Sequence, residues 1–383
     1  EMVIRDWSSD VCSSDLVEQG IVKRLPQAAN TSVIANAKAQ FTNCGIRKEG
    51  NYWVGTPLVV KADKTSSDIA LAELGSMMYG LALDAVYNGN QTSAQQYIDL
   101  WDFAHDQGFT YGSAMGNNHH YGYETKQIFL SAYLMKESLK SSARINDVAA
   151  TLSFWSGLPE SRRVFDQTRE GVVDSWNTLL FSRLISAMLI QDLPQQYRAV
   201  QSLARWVDTS LAFTPGNLGG LKPDGTIFHH AGHYPAYGIG GFSGLGDFIA
   251  ALPGSEFNLT LSARQNLANA LFAMSRYTHL TDWSIGMSGR HPHDGGMPAG
   301  VIESFGLLSL LGGVYNTNES IDSKLAGEYL RLQTENTALK QQLSSFTTAA
   351  VPSGFYVYNH AAAGVHRFGN SMVTIKGYNS DVW

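Results

Sequence analysis

Between residues 60 and 312 the chain repeats one pattern: a helix-capping signal, apolar residues at helical spacing, then a short loop. Ser67 is placed to cap a helix over residues 69–87, and Gly89 follows its end. Thr92 with Gln95 forms a capping-box pattern ahead of 94–105, and Ser262 with Gln265 repeats it ahead of 267–277. The same spacing predicts helices over 126–139, 174–189, 196–211 and 241–252. Serial helices with short loops must pair antiparallel, as in a bundle, a solenoid or an α/α toroid. No fixed sequence period is present, which argues against a regular solenoid.

The pattern changes after about residue 315. Residues 321–343 are polar and helix-prone and read as a linker helix. Pro352, Ser353 and Gly354 mark a boundary. Beyond it, 355–358, 364–368 and 372–378 are short, β-branched and aromatic, with Gly369 and Asn370 as a turn between the last two. This is the start of an antiparallel β domain, and two or three strands do not make a stable one alone. The expected organisation is a non-native segment at 1–16, a helical catalytic domain at 17–316, a linker helix region at 317–350 and a truncated β domain at 351–383.

The N-terminal segment is set apart because Asp6 to Leu16 reads DWSSDVCSSDL, like a translated sequencing adapter. A natural leader would then be lost, so the absence of a basic start followed by an apolar stretch says nothing about compartment. Setting Cys12 aside leaves Cys44 alone, too few for a disulfide framework or a zinc cluster. Residues 1–16 contribute −3 of the formal −6, leaving −3 for the rest. A chain of that charge has no global field for polyanions, so an acidic substrate needs a locally basic cleft, and nucleic acid is not an expected partner. No apolar run approaches the roughly 20 residues of a membrane span.

Four clusters carry residues suited to chemistry: Asn117-Asn118-His119-His120-Tyr121-Gly122-Tyr123; residues 224–237, containing His229-His230-Ala231-Gly232-His233-Tyr234-Pro235-Ala236-Tyr237; Gly289-Arg290-His291-Pro292-His293; and Gly364-Val365-His366-Arg367 with Lys376-Gly377-Tyr378-Asn379. Each alone reads as loop residues bonded to backbone. Seven of the 11 histidines fall in the first three, however, which points to one polar site built from separate loops. Neither His-rich run has the spacing of a helical metal pair, so no metal ligand is assigned. Glycoside hydrolysis needs two carboxylates. Asp224, Asp282 and Asp294 are near, but none lies within the His/Tyr run. No phosphate loop or nucleophile elbow is evident.

A base, a phenol and a guanidinium suit β-elimination from a uronic acid. The C5 proton beside a carboxylate is only weakly acidic, so donors or cations must neutralise that carboxylate. A base removes the proton and an acid protonates the leaving 4-O oxygen.

The clusters resemble polysaccharide lyase family 8, and within it the chondroitin sulfate ABC lyases. The resemblance rests on His119-His120-Tyr121-Gly122-Tyr123, residues 224–237, Ser288-Gly289-Arg290-His291-Pro292 and the two C-terminal segments, in the family's order over most of residues 100–383. It implies a mainly α fold: an incomplete α/α toroid followed by the start of an antiparallel β-sandwich. It also implies His230, Tyr237 and Arg290 as catalytic, with His120 as the second His that helps neutralise the carboxylate and handle the iduronate epimer. Tyr237 would be the general acid, and the base for one epimer; His230 would be the base for the other, or a neutraliser. His119, Asn118, His233 and Trp176 are the expected substrate contacts, although packing competes for His229 and His233 and for Trp101, Trp155, Trp176 and Trp206 as sugar-stacking aromatics. At His233 the chain departs from better-known members. The family's catalytic Glu follows the segment matched by 379–383, so it is expected to be missing here.

The expected function is therefore a glycosaminoglycan lyase on chondroitin or dermatan sulfate, or hyaluronan. It needs no organic cofactor, although calcium or magnesium assists some relatives. The protein is expected to be secreted or periplasmic and monomeric. An inactive carbohydrate-binding protein on the same scaffold and an α/α-toroid hydrolase are the alternatives.

Overall fold

The helices start earlier than the capping-box patterns predict, and the caps show why. The computed structural model describes residues 13–59, 68–113, 121–168, 171–279, 281–289, 293, 295–332 and 335–378. The helix expected from residue 94 is Gln91–Asp106, because the Asn90 carboxamide accepts from the Thr92 and Ser93 N–H groups at 3.0 and 3.2 Å. Gln95 instead donates to Asp99 one turn on. Likewise Thr260, not Ser262, caps Leu261–Arg276 by accepting from Ala263 N–H at 3.3 Å. Ser67 lies outside the described residues. The helix after it is Leu71–Tyr87, and Glu73 reaches back to the Ala70 N–H.

The chain forms two compact units. One comprises Leu25–Glu160 and Ser182–Val200. At its centre is Leu71–Tyr87, packed against Thr31–Asn43, Gln91–Asp106 and Tyr121–Leu134. Ten residues of that central helix are buried, among them Asp84. Asp84 is tolerated there because Lys38, Ser93 and Asn88 all reach it, at 2.6, 2.6 and 2.8 Å.

The other unit is the chain up to Arg24, Ser161–Phe181 and everything from Gln201 on. Its first described helix, Ser13–Arg24, begins within the stretch expected to be non-native. It buries Val17 and Ile21, and Arg24 pairs with Asp247 and Glu303. Pro235–Ile249 packs on Ala299–Ser309 and on Val172–Asp174 with the π-helical turn Ser175–Leu179 that continues it. That helix is glycine-rich for a steric reason. A Cβ at Gly244 would lie 2.0 Å from the Trp176 carbonyl oxygen, so the two backbones touch.

Residues 321–343 differ from the expected linker helix. They form two helices, Ser323–Leu332 and Thr337–Leu343, both packed on Ala299–Ser309. Leu325, Ala326, Tyr329, Leu339 and Leu343 are buried, so this segment is core. Beyond it, Gly354–Tyr358, Ala363–Phe368 and Ser371–Lys376 make one antiparallel sheet, with Phe355 opposite His366 and His366 opposite Val373. Its inner face buries Tyr358, Val365 and Arg367, while Phe355, Val357, Phe368, Val373 and Ile375 are exposed. Arg367 ties this sheet to the end of Leu261–Arg276 by donating to the Ser275, Arg276 and Thr278 carbonyls. Among the described residues, no helix is long and apolar enough to cross a membrane.

Candidate active site

Residues 220–237 place two of the expected catalytic side chains together. Gly220–Leu221, Ile227–His229 and Gly232–His233 form a small antiparallel sheet. The turn before the middle strand is fixed by Asp224. One oxygen accepts from the Thr226 N–H and hydroxyl at 3.1 and 2.7 Å, and the other accepts from the His360 N–H at 2.8 Å. Burial alone would raise the Asp224 carboxyl, but these bonds outweigh it and hold the group below its ordinary range. Asp224 is thus committed to structure, which removes a carboxylate the hydrolase alternative would use.

The next turn holds His230. His229 pairs with Gly232, leaving a two-residue loop of His230 and Ala231. Both have left-handed φ, 51° and 63°. Two-residue hairpins demand this conformation, and Asn or Gly normally supplies it. An L residue there costs about 1–2 kcal/mol, and such strain is found at functional sites. The result is an exposed His230 at the hairpin tip. The chain then turns into Pro235–Ile249, with Pro235 at the start of the helix. Tyr237 falls in the first turn, half-buried. Its ring centroid is 5.3 Å from that of His230, edge-on at 79°, and 4.7 Å from that of Tyr234. An imidazole and a phenol thus stand side by side near the surface, the pair that proton removal and return require.

Arg290, His120, His119 and Asn118 lie outside the described residues. Gly289, just before Arg290, is described. Its backbone packs on the hairpin so closely that a Cβ would lie 2.9 Å from the His233 carbonyl oxygen and 3.1 Å from the Tyr234 ring.

Two expected substrate contacts are corrected. Trp176 is 0 % exposed, and its indole N–H donates to the Ser210 hydroxyl at 2.9 Å, so no ring face is open to a sugar. Trp101, Trp155 and Trp206 are buried too, at 3 %, 7 % and 3 %. His233 is 1 % exposed and meets the Tyr277 ring edge-on at 5.4 Å. Burial, aided by the Lys376 charge and opposed by Asp224, pushes its imidazole down to about 3. It is a neutral core residue at ordinary pH.

The sequence reading missed Asp174. Its carboxylate comes within 3.3 Å of His229 Nε2, a contact between residues 55 positions apart that no local motif signals. Among the described residues no three His, Cys, Asp or Glu side chains converge to hold a metal ion.

The family model described as "Lyase, catalytic" matches residues 27–338. A chondroitin sulfate ABC endolyase of Proteus vulgaris is 29 % identical over 327 residues, 82 % of this chain and 31 % of that protein. A chondroitin sulfate ABC exolyase of Bacteroides thetaiotaomicron is 28 % identical over 254 residues, 66 % of this chain and 24 % of that protein. The chain thus spans about a third or less of the length of these relatives. Among solved structures, a point mutant of the Streptomyces coelicolor A3 chondroitin AC lyase aligns with a TM-score of 0.65 at 12 % identity, covering 93 % of this chain and 52 % of that one. A Paenibacillus xanthan lyase aligns at 0.60 and 16 %, covering 92 % and 34 %. At such identities the structures speak to fold alone, and that fold is the α/α toroid with its antiparallel β continuation. With the family model matched over most of its length, the chain belongs to polysaccharide lyase family 8.

Proposed function

We propose that the protein is a glycosaminoglycan lyase that breaks the 4-O linkage to a uronic acid by β-elimination. The observation that carries this reading is the exposed His230 imidazole beside the Tyr237 phenol, on a strained hairpin and a helix start. Its support from comparison is that the curated relatives are chondroitin sulfate ABC lyases. In this reading His230 or Tyr237 takes the C5 proton, according to the epimer. The C–H electron pair becomes the C4–C5 double bond, the C4–O bond breaks, and Tyr237 protonates the departing oxygen. By the family resemblance, the role of neutralising the uronate carboxylate falls to Arg290 and His120, and that of contacting substrate to His119 and Asn118. No organic cofactor is needed, the full-length protein is secreted or periplasmic and monomeric, and chelation of calcium and magnesium leaves a measurable rate.

The test is product chemistry of the full-length protein on chondroitin, dermatan and hyaluronan. The expected products carry unsaturated uronate ends that absorb in the near ultraviolet. Saturated reducing ends would replace the lyase with a hydrolase, and binding without products would make the protein an inactive carbohydrate binder. Tyr237→Phe is expected to lower kcat by at least about 100-fold with little change in substrate binding. A near-normal rate would remove Tyr237 from the mechanism.

A further inference from the structure

His229 has no role in the chemistry above, yet it touches both residues that do. It closes the strand Ile227–His229 and is 2 % exposed, although the adjoining His230 is exposed. Its ring stacks on Tyr237 with centroids 4.5 Å apart and planes at 28°. It lies 4.1 Å from the His230 ring, at 52°. Its Nε2 is 3.3 Å from Asp174 Oδ2, at ion-pair distance but off hydrogen-bond geometry. Neither ring nitrogen has a hydrogen-bond partner among the described residues.

For a packing residue this is a poor choice, since a phenyl ring would fill the space without burying two polar nitrogens. The surrounding backbone is specialised as well. Asp174 is the last residue before the π-helical turn Ser175–Leu179, and such insertions occur often at functional sites. The same turn sets the Asn177 side chain against Gly240 of the helix that carries Tyr237, where a Cβ would lie 2.5 Å from the Asn177 carboxamide nitrogen, Nδ2. Asp174, His229 and Tyr237 thus form a chain of contacts from the π-helical turn to the reactive pair.

We propose that His229, held by Asp174, is a positioning residue: its ring sets the planes of Tyr237 and His230 so that both address one bound uronate. This rests on the reading of Tyr237 as a proton-transfer group. When substrate binds, no further ordering of the two side chains is then needed, and misplacing a reacting group by about 1 Å costs on the order of 100-fold in rate.

The experiment compares His229→Ala, His229→Phe, Asp174→Asn and the double variant His229→Ala/Asp174→Asn in the full-length protein. For each, kcat, KM and the thermal midpoint are measured on chondroitin sulfate. His229→Ala is expected to lower kcat by at least about 10-fold with KM within about twofold. His229→Phe, which keeps the stacked ring, recovers part of that loss. Asp174→Asn lowers kcat less and adds nothing in the double variant, because both residues act through one contact. An unchanged kcat in His229→Ala, a wild-type kcat in His229→Phe, or multiplying effects in the double variant would overturn the proposal. Should His229→Ala not fold, the Phe and Asn variants decide by the same criteria. A normal rate in Tyr237→Phe would instead sink the underlying reading of Tyr237, a separate result.

Discussion

His230 and Ala231 occupy positions that ordinarily belong to Asn-Gly, and the strain there is local and testable. Ala231→Gly removes a Cβ from a φ of 63° without touching an imidazole or a phenol. Relief of the left-handed strain outweighs the extra freedom of glycine in the unfolded chain, so the variant is expected to gain up to about 1 kcal/mol in denaturant unfolding. A loss would mean that the Ala231 methyl contributes packing. Trp176 gives the opposite kind of test. Enclosed and bonded to Ser210, it should act on stability and not on sugar binding. Trp176→Ala is expected to cost about 3–5 kcal/mol. A selective rise in KM at unchanged stability would return it to the substrate contacts.

At the scale of elements, the site depends on how closely Pro235–Ile249 approaches the π-helical turn. Gly244→Ala places a methyl 2.0 Å from the Trp176 carbonyl, so one backbone has to move. Overpacking of this kind costs about 1–3 kcal/mol. Because the displaced helix carries Tyr237 in its first turn, kcat should fall along with the unfolding midpoint. Equal stability and rate would show that the helices separate without consequence. The rest of the helical scaffold is more forgiving. Thr260→Ala removes one capping bond at the start of Leu261–Arg276 and should cost about 1 kcal/mol, with no effect on rate.

Over the whole molecule, two buried titratable groups, one in each unit, shape the response to acid. His233 has an ordinary value of 6.5 and is pushed down to about 3 in the folded protein. Below pH 6.5 the unfolded chain takes up a proton that the folded chain refuses. Its contribution to stability is therefore full above about 6.5 and is lost as pH falls toward 3. For Asp84, burial opposes ionisation, but the bonds from Lys38, Ser93 and Asn88 outweigh it and hold the carboxyl at about 2 against an ordinary 3.8. That contribution is full above about 3.8 and is lost as pH falls through 2. Urea midpoints measured between pH 7 and 2 should fall across both windows. His233→Gln is expected to flatten the upper window and Asp84→Asn the lower. An unchanged upper slope in the His233 variant would show that another group sets it.

The sequence by itself determined the helical class, the three C-terminal strands with their Gly369-Asn370 turn, and the segment in which His230 and Tyr237 lie close. These features rest on interactions within a few residues: apolar spacing, caps, turn formers and one hairpin leading into one helix. Cap positions slipped by two residues because Asn90 and Thr260 offer the same acceptor chemistry as Thr92 and Ser262. What only the tertiary structure decided is the fate of residues whose neighbours are distant in sequence. Trp176 and His233 are polar aromatics that a sequence permits in either a cleft or a core, and burial assigned them to the core. Residues 321–343 look polar along the chain, but Ala299–Ser309 covers their apolar stripe. Asp174 meets His229 only because the glycines of Pro235–Ile249 let a distant turn come into backbone contact, and a contact made through space leaves no periodic trace in the chain.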